Sequence, residues 1–364
     1  MKSSFYTVFF ATLMLSGCET KRIAPTTDTT ENTETPAPEE PTPAPVVVAP
    51  RYLYVASGSC YGGDVTAGAV ATGSNTVVRY NIDTGAFDSL ITDYNSAGGE
   101  APAAIVNYSD DELLVLVEST GGRRVDRVNK MTGARSSFLT NSFLSTQARD
   151  LTSLADGGLL ISRNTAIEKF NSNRNRIMGG VTSFVVSPAA PCATATTLIS
   201  GMTELPGGNF VFAHAAATPN NRIGIIKSTG YSVAGDCMAG VTVSTTTALP
   251  TALITEKNSG HVLVAAGSAT SASNFIQSFV ITPATGAVTA STLAYTDFNY
   301  VTAPSRLVQD TTTNLIYVAN ARATHNSIEK FTYDATTRLL TRVSPTFVTN
   351  SIYTRCVAGM AIGN

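Results

Sequence analysis

The sequence predicts an all-β fold, a six-bladed β-propeller spanning residues 51–364, and three observations point to it. The composition is that of a folded chain, with 43% hydrophobic against 14% charged residues, and its lack of Trp, its 28 Gly and its many Thr, Val and Ala favour short strands and tight turns. A short apolar pattern recurs six times at steps near 50 residues. The first and last segments of this region are complementary halves of one repeat. Disorder throughout is excluded, and a net charge of −2 gives no footing for a nucleic-acid groove or a polybasic membrane patch.

The chain opens with Met1-Lys2-Ser3-Ser4, carrying one positive charge, and continues with an apolar run from Phe5 to Leu15. That run is too short to span a bilayer as a helix and has the form of a secretory h-region. It ends in Leu15-Ser16-Gly17-Cys18, which resembles the lipobox of bacterial lipoproteins. The resemblance implies a signal peptide over residues 1–17, a diacylglyceryl group on the Cys18 thiol, and cleavage that makes Cys18 the mature N-terminus; the rival is an ordinary signal peptide with an incidental Cys. Glu19 follows rather than the Asp that resembles an inner-membrane retention signal in enteric bacteria. The expected location is therefore the outer membrane, periplasmic or surface-exposed.

Residues 18–50 hold the lipidated Cys and a Pro/Thr/Glu-rich tether. Seven of the 16 prolines fall in it (Pro25, Pro36, Pro38, Pro41, Pro43, Pro45, Pro50), with almost no large apolar residue. No core can form there. A polyproline II spacer of about 3.1 Å per residue extends roughly 100 Å over this length, enough to hold a domain well clear of its lipid.

From residue 51 the repeat reads Leu53-Tyr54-Val55-Ala56, Val115-Leu116-Val117-Glu118, Leu159-Leu160-Ile161-Ser162, Phe210-Val211-Phe212-Ala213, Val262-Leu263-Val264-Ala265 and Ile316-Tyr317-Val318-Ala319. The steps are 62, 44, 51, 52 and 54 residues, which suit four-stranded propeller blades. Turn signals such as Asp156-Gly157-Gly158 and Pro206-Gly207-Gly208 precede five of the copies, making the pattern strand b of each blade after a small-residue strand a. An alternating segment, often led by Asn, follows as strand c: Asn75 to Tyr80, Asn164 to Phe170, Asn274 to Phe279 and Asn326 to Phe331. Turns such as Asp83-Thr84-Gly85 lead on to a more polar strand d. The region starts at Arg51 with strand b and ends in Cys356 to Ile362, a strand a without a blade. The last strand is thus expected to complete the first blade and remove the open sheet edge.

Ile316 to Asn320, then Asn326 to Phe331 and Asp334 to Leu339, resemble the repeat of YVTN/lactonase-like propellers, with weaker versions in the first and fifth blades. The resemblance implies the propeller fold, shared there by enzymes and binding scaffolds. Lactonase-like members have seven blades; the repeats counted here number six.

Besides Cys18 there are four cysteines, Cys60, Cys192, Cys237 and Cys356, and an even number in an exported chain implies disulfides. Cys60 follows strand b of the first blade and Cys356 opens the strand expected beside it, so these two are expected to pair and clasp the ring. Cys192 and Cys237 then pair by elimination. No CxxC or His spacing supports zinc instead.

Propeller ligands usually bind on the face carrying the b–c and d–a loops. There the sequence places Arg149, Asp150, Arg163, His214, Arg306, Asn320, Arg322, His325 and Arg355, a set suited to an anionic ligand or an acidic loop. No HExxH, P-loop, GxSxG or GxGxxG occurs. The expected function is therefore a lipid-anchored, non-catalytic scaffold that contacts the membrane only through its anchor, binds protein or glycan through this rim, and needs no cofactor. The alternative is a metal-dependent lactonase-type hydrolase, with Glu118, Asp150, Glu204 and Asn320 around a Ca²⁺ ion at the channel mouth.

Overall fold

A computed structural model describes residues 49–59, 72–94, 100–119, 122–140, 148–163, 166–174, 184–185, 198–215, 222–227, 237–243, 248–267, 273–322, 325–349 and 351–364. Its compact unit is Ala49–Asn364. The expected signal peptide, Cys18 and all of the tether but its last two residues lie outside the described residues, as do Cys60 and Cys192. Among the described residues no helix is long and apolar enough to cross a membrane.

Six four-stranded antiparallel sheets form six blades in a ring. Blade 1 joins β1 (Tyr52–Ser59), β2 (Thr72–Asn81) and β3 (Phe87–Asp93) to the last strand, β24 (Val357–Gly363). Blade 2 is β4 (Ala101–Asn107), β5 (Glu112–Ser119), β6 (Gly122–Asn129) and β7 (Arg135–Leu139). Blade 3 is β8 (Ala148–Ser153), β9 (Leu159–Arg163), β10 (Ala166–Phe170) and β11 (Phe184–Val185). Blade 4 is β12 (Leu198–Glu204), β13 (Phe210–Ala215), β14 (Arg222–Ile226) and β15 (Cys237–Thr242). Blade 5 is β16 (Leu249–Thr255), β17 (Val262–Gly267), β18 (Phe275–Ile281) and β19 (Val288–Tyr295). Blade 6 is β20 (Pro304–Gln309), β21 (Ile316–Arg322), β22 (His325–Asp334) and β23 (Leu339–Thr349).

Every copy of the apolar pattern is the second strand of a blade. These strands are apolar on both faces because each blade is sandwiched between two others, so alternate side chains enter different inter-blade cores. Leu53 and Val55 pack toward blade 6 with Tyr317, Ala319 and Phe347, while Tyr54 and Ala56 pack toward blade 2 with Leu113, Val115 and Val117. Burying each large side chain contributes about 1.5–3 kcal/mol, and this two-sided burial drives the stacking.

The closure is as expected. β24 pairs antiparallel with β1, Tyr54 opposite Ala361 and Val55 opposite Met360. The Gly58 amide donates to the Cys356 carbonyl at 3.0 Å. The inner strands β24, β4, β8, β12, β16 and β20 touch in cyclic order. Arg51 adds an ion pair to Asp310 of blade 6 across the seam.

The turns from strand c to strand d follow their sequence. In blades 1 and 2 the Asn81 and Asn129 Oδ1 atoms accept two amides each, and Gly85 and Gly133 supply φ of 73° and 68°. A Cβ on Gly133 would sit 1.9 Å from the Ile91 carbonyl oxygen, so space as well as φ demands glycine there.

Candidate functional site

The axis of the ring is built from one recurring irregularity. Each inner strand carries a β-bulge against its neighbour: between Pro102 and Ala104, Ala148 and Leu151, Ile199 and Gly201, Pro250 and Ala252, Pro304 and Arg306, and, in β24, opposite Ala56 and Ser57. A bulge takes one residue out of the ladder and frees its carbonyl. The freed residues are Ala103, Arg149, Ser200, Thr251, Ser305 and Ala358, one per blade.

All six of their carbonyls accept from the guanidinium of Arg306. Nη2 donates to Ala103 and Arg149 at 3.2 Å each. Nη1 donates to Ser305 at 3.1 Å, Thr251 at 3.3 Å and Ser200 at 3.5 Å, and Nε donates to Ala358. Five N–H donors are thus shared among six acceptors, satisfying the group's full donor capacity. The residues following the other bulges, Ala104, Gly201, Ala252 and Gly359, are small and line the axial cavity. The exception is Asp150, on blade 3, diametrically opposite blade 6.

Asp150 accepts the Met202 amide through Oδ2 at 2.8 Å. Burial pushes its carboxyl above the ordinary range, against the lowering influence of Arg306 and of the Met202 and Leu151 amides. Burial likewise pulls Arg306 down, opposed by the charge of Asp150. Arg149 is 8% exposed; burial, then the like charge of Arg306, pushes it down to about 10.

Beyond this layer, toward the a–b turns, lies a cavity of about 190 Å³ with Asp150 and Arg306 among its lining residues and walls that include Ile105, Leu151, Met202 and Leu253. It adjoins a wider one of about 390 Å³ beside Arg51, Asp310 and the a–b turns of blades 2 and 6. Both cavities lie on the a–b side of this layer, opposite to the b–c and d–a loops.

The expected rim residues separate accordingly. Arg306 and Arg149, expected on the binding rim, are buried in the axial layer, and Asp150 lines the cavity beside them. Asn320 is fully buried and pins a loop: its Oδ1 accepts the Thr302 amide at 3.0 Å, and its Nδ2 donates to the Tyr300 carbonyl at 2.8 Å and Ser327 Oγ at 3.0 Å. His214 is buried edge-on against Phe212, at 4.9 Å between ring centroids. Arg355 is exposed after the 3-10 turn Ile352–Thr354. Arg163, Arg322 and His325 stand at the strand ends bordering b–c loops, and their side chains lie outside the described residues, as does that of Cys237.

The four groups considered for Ca²⁺ do not converge. Glu118 is ion-paired with Arg123 at 3.0 Å at the b–c end of blade 2. Glu204, at the a–b end of blade 4, accepts the Ala155 amide at 2.8 Å. Asp150 and Asn320 are held as described. Among the described residues no group of three or more His, Cys, Asp and Glu is placed to hold a metal ion.

The sequence reading missed the role of Arg306, yet a signal exists. Aligned on the bulges, the inner strands read Pro102-Ala103-Ala104, Ala148-Arg149-Asp150, Ile199-Ser200-Gly201, Pro250-Thr251-Ala252, Pro304-Ser305-Arg306 and Val357-Ala358-Gly359. In the third column Arg306 and Asp150 are the two departures from Ala and Gly.

No protein-family model and no curated protein matches the sequence. Solved structures match in fold. A chain from a Nidogen/Laminin complex superposes with a TM-score of 0.56 at 11% identity, over 86% of this chain and 98% of that one. A putative 6-phosphogluconolactonase from Bacteroides uniformis gives 0.54 at 14% identity, over 82% and 83%. A protein from Lactobacillus plantarum gives 0.54 at 10% identity, over 86% and 99%. At these identities the likeness is one of fold alone, a β-propeller.

Proposed function

We propose that this chain is a lipid-anchored envelope protein whose propeller is a non-catalytic binding module, presenting the b–c and d–a loops to a protein or glycan partner. The observation that carries the reading is the filled axis. The position where a propeller commonly seats a ligand or metal is occupied by Arg306, and the carboxylates within reach of such a role are committed to amides or arginines. Exposed Arg355 and the strand-end positions Arg163, Arg322 and His325 are left to form the binding rim.

The anchor rests on Cys18 and its leader, and the outer-membrane address on Glu19. A disulfide between Cys60 and Cys356 belongs to the same proposal. Its support is the β1–β24 register and the 3.0 Å hydrogen bond from Gly58, two residues before Cys60, to Cys356. Such a bond suits an oxidising compartment.

The likeness in fold to a putative 6-phosphogluconolactonase supports a second reading, a lactonase-type hydrolase. One experiment separates the two. The purified domain is assayed on a panel of lactones with and without added Ca²⁺, and the anchored protein is crosslinked in its native envelope. The expected result is no turnover and a discrete crosslinked adduct. Ca²⁺-dependent lactone turnover with no adduct would reject the proposal.

A further inference from the structure

We infer that the axial layer of bulge carbonyls is a cation site that the protein fills with its own guanidinium, and that Arg306 thereby acts as a latch holding all six blades at one radius. The inference concerns closure of the ring and stands whether or not the rim binds a partner. Six carbonyl oxygens converging on one point repel each other unless a cation or donor lies between them, just as oxygen cages elsewhere require an ion. Here each of the six oxygens comes from a different blade, through a bulge repeated at the same position six times. A planar guanidinium presents donors around its rim in a fixed fork, which suits a ring of acceptors better than a compact ammonium does. Asp150 supplies opposite charge from the facing blade, and both it and Arg306 line the axial cavity. Through this group blades that are not neighbours in the ring are tied together, blade 6 to blades 2, 3 and 4.

The test is chemical rescue. Arg306→Ala is expected to lower the Tm by roughly 5–10 °C, as loss of a buried, fully bonded charge does in a chain of this size. Guanidinium chloride at millimolar concentration, far below the denaturing range, is expected to raise the Tm of this variant with saturation while leaving wild type unraised; NaCl and urea at equal concentration are the controls. A variant that melts with wild type, or one that guanidinium helps no more than urea or NaCl, overturns the inference. Should Arg306→Ala not fold, Arg306→Lys and native-state hydrogen exchange of the wild type decide. The Lys variant, with charge but no fork, is expected to melt below wild type. The wild-type amides following the six bulges are expected to exchange as one slow class. A Lys variant equal to wild type, or one blade's inner strand exchanging independently of the rest, refutes the latch.

Discussion

At the scale of single residues, the a–b turns show how hydrogen bonding sets the acid response. Burial alone would raise Glu256, but the Ser259 hydroxyl and amide, Gln309 and the Asn258 amide outweigh it and hold the carboxyl below its usual range. Asp310 follows the same pattern, with burial opposed by Thr313, the Thr312 amide and Arg51. A carboxylate with a lowered folded pKa stabilises the fold above its unfolded pKa of about 3.9–4.3, and that contribution is lost as pH falls through the folded value. Glu256→Gln and Asp310→Asn are therefore expected to cost about 1–2 kcal/mol each at neutral pH and to flatten the acid limb of a Tm-against-pH curve. Unchanged acid limbs would count against these assignments. Arg338 gives a test of opposite sign. It sits at φ 61° in the blade 6 turn, where Gly85, Gly133 and Gly286 serve elsewhere, so Arg338→Gly is expected to stabilise by up to about 1 kcal/mol in urea denaturation. The φ requirement was legible in the Thr-Gly turns; the bond from Gln309 to Glu256 was not, since it joins groups from two different blades.

At the scale of elements, the second strands were readable because burial on both faces writes the same apolar run into each. The third strands were readable wherever an Asn led an alternating segment. The bulges were not, because a bulge inserts one residue without altering composition, and its effect is seen only when six strands meet. Their packing explains the small residues beside the axis. A Cβ on Gly359 would lie 2.6 Å from the Ile105 backbone nitrogen, which cannot rotate away. Gly359→Ala is thus expected to destabilise by about 1–3 kcal/mol, measured by urea denaturation. Hydroxyls at the bulges also stitch neighbours together: Ser200 Oγ donates to the Pro250 carbonyl at 2.6 Å and Thr251 Oγ1 to the Pro304 carbonyl at 2.5 Å. Thr251→Val, close in shape, is expected to cost about 1–2 kcal/mol, and a neutral result would show that this inter-blade bond contributes nothing net.

At the scale of the whole molecule, the ring and its closure follow from bookkeeping along the chain, since a missing first strand and a surplus last strand cancel. The site does not follow in that way. Arg149, Asp150 and Arg306 were singled out as candidate binding residues at the starts of inner strands, and sequence gives no direction to a side chain near a bulge. Three-dimensional convergence makes Arg306 an internal plug at the axis, and the function proposed above assigns recognition to the loop-bearing face. The most direct test of that proposal is face-resolved photo-crosslinking of the full chain in its native cells, with a photoreactive residue placed either at Arg355, on the d–a loop side, or at Thr312, in an a–b turn on the opposite face. The account expects adducts from the rim position alone; adducts from the Thr312 position alone would contradict it.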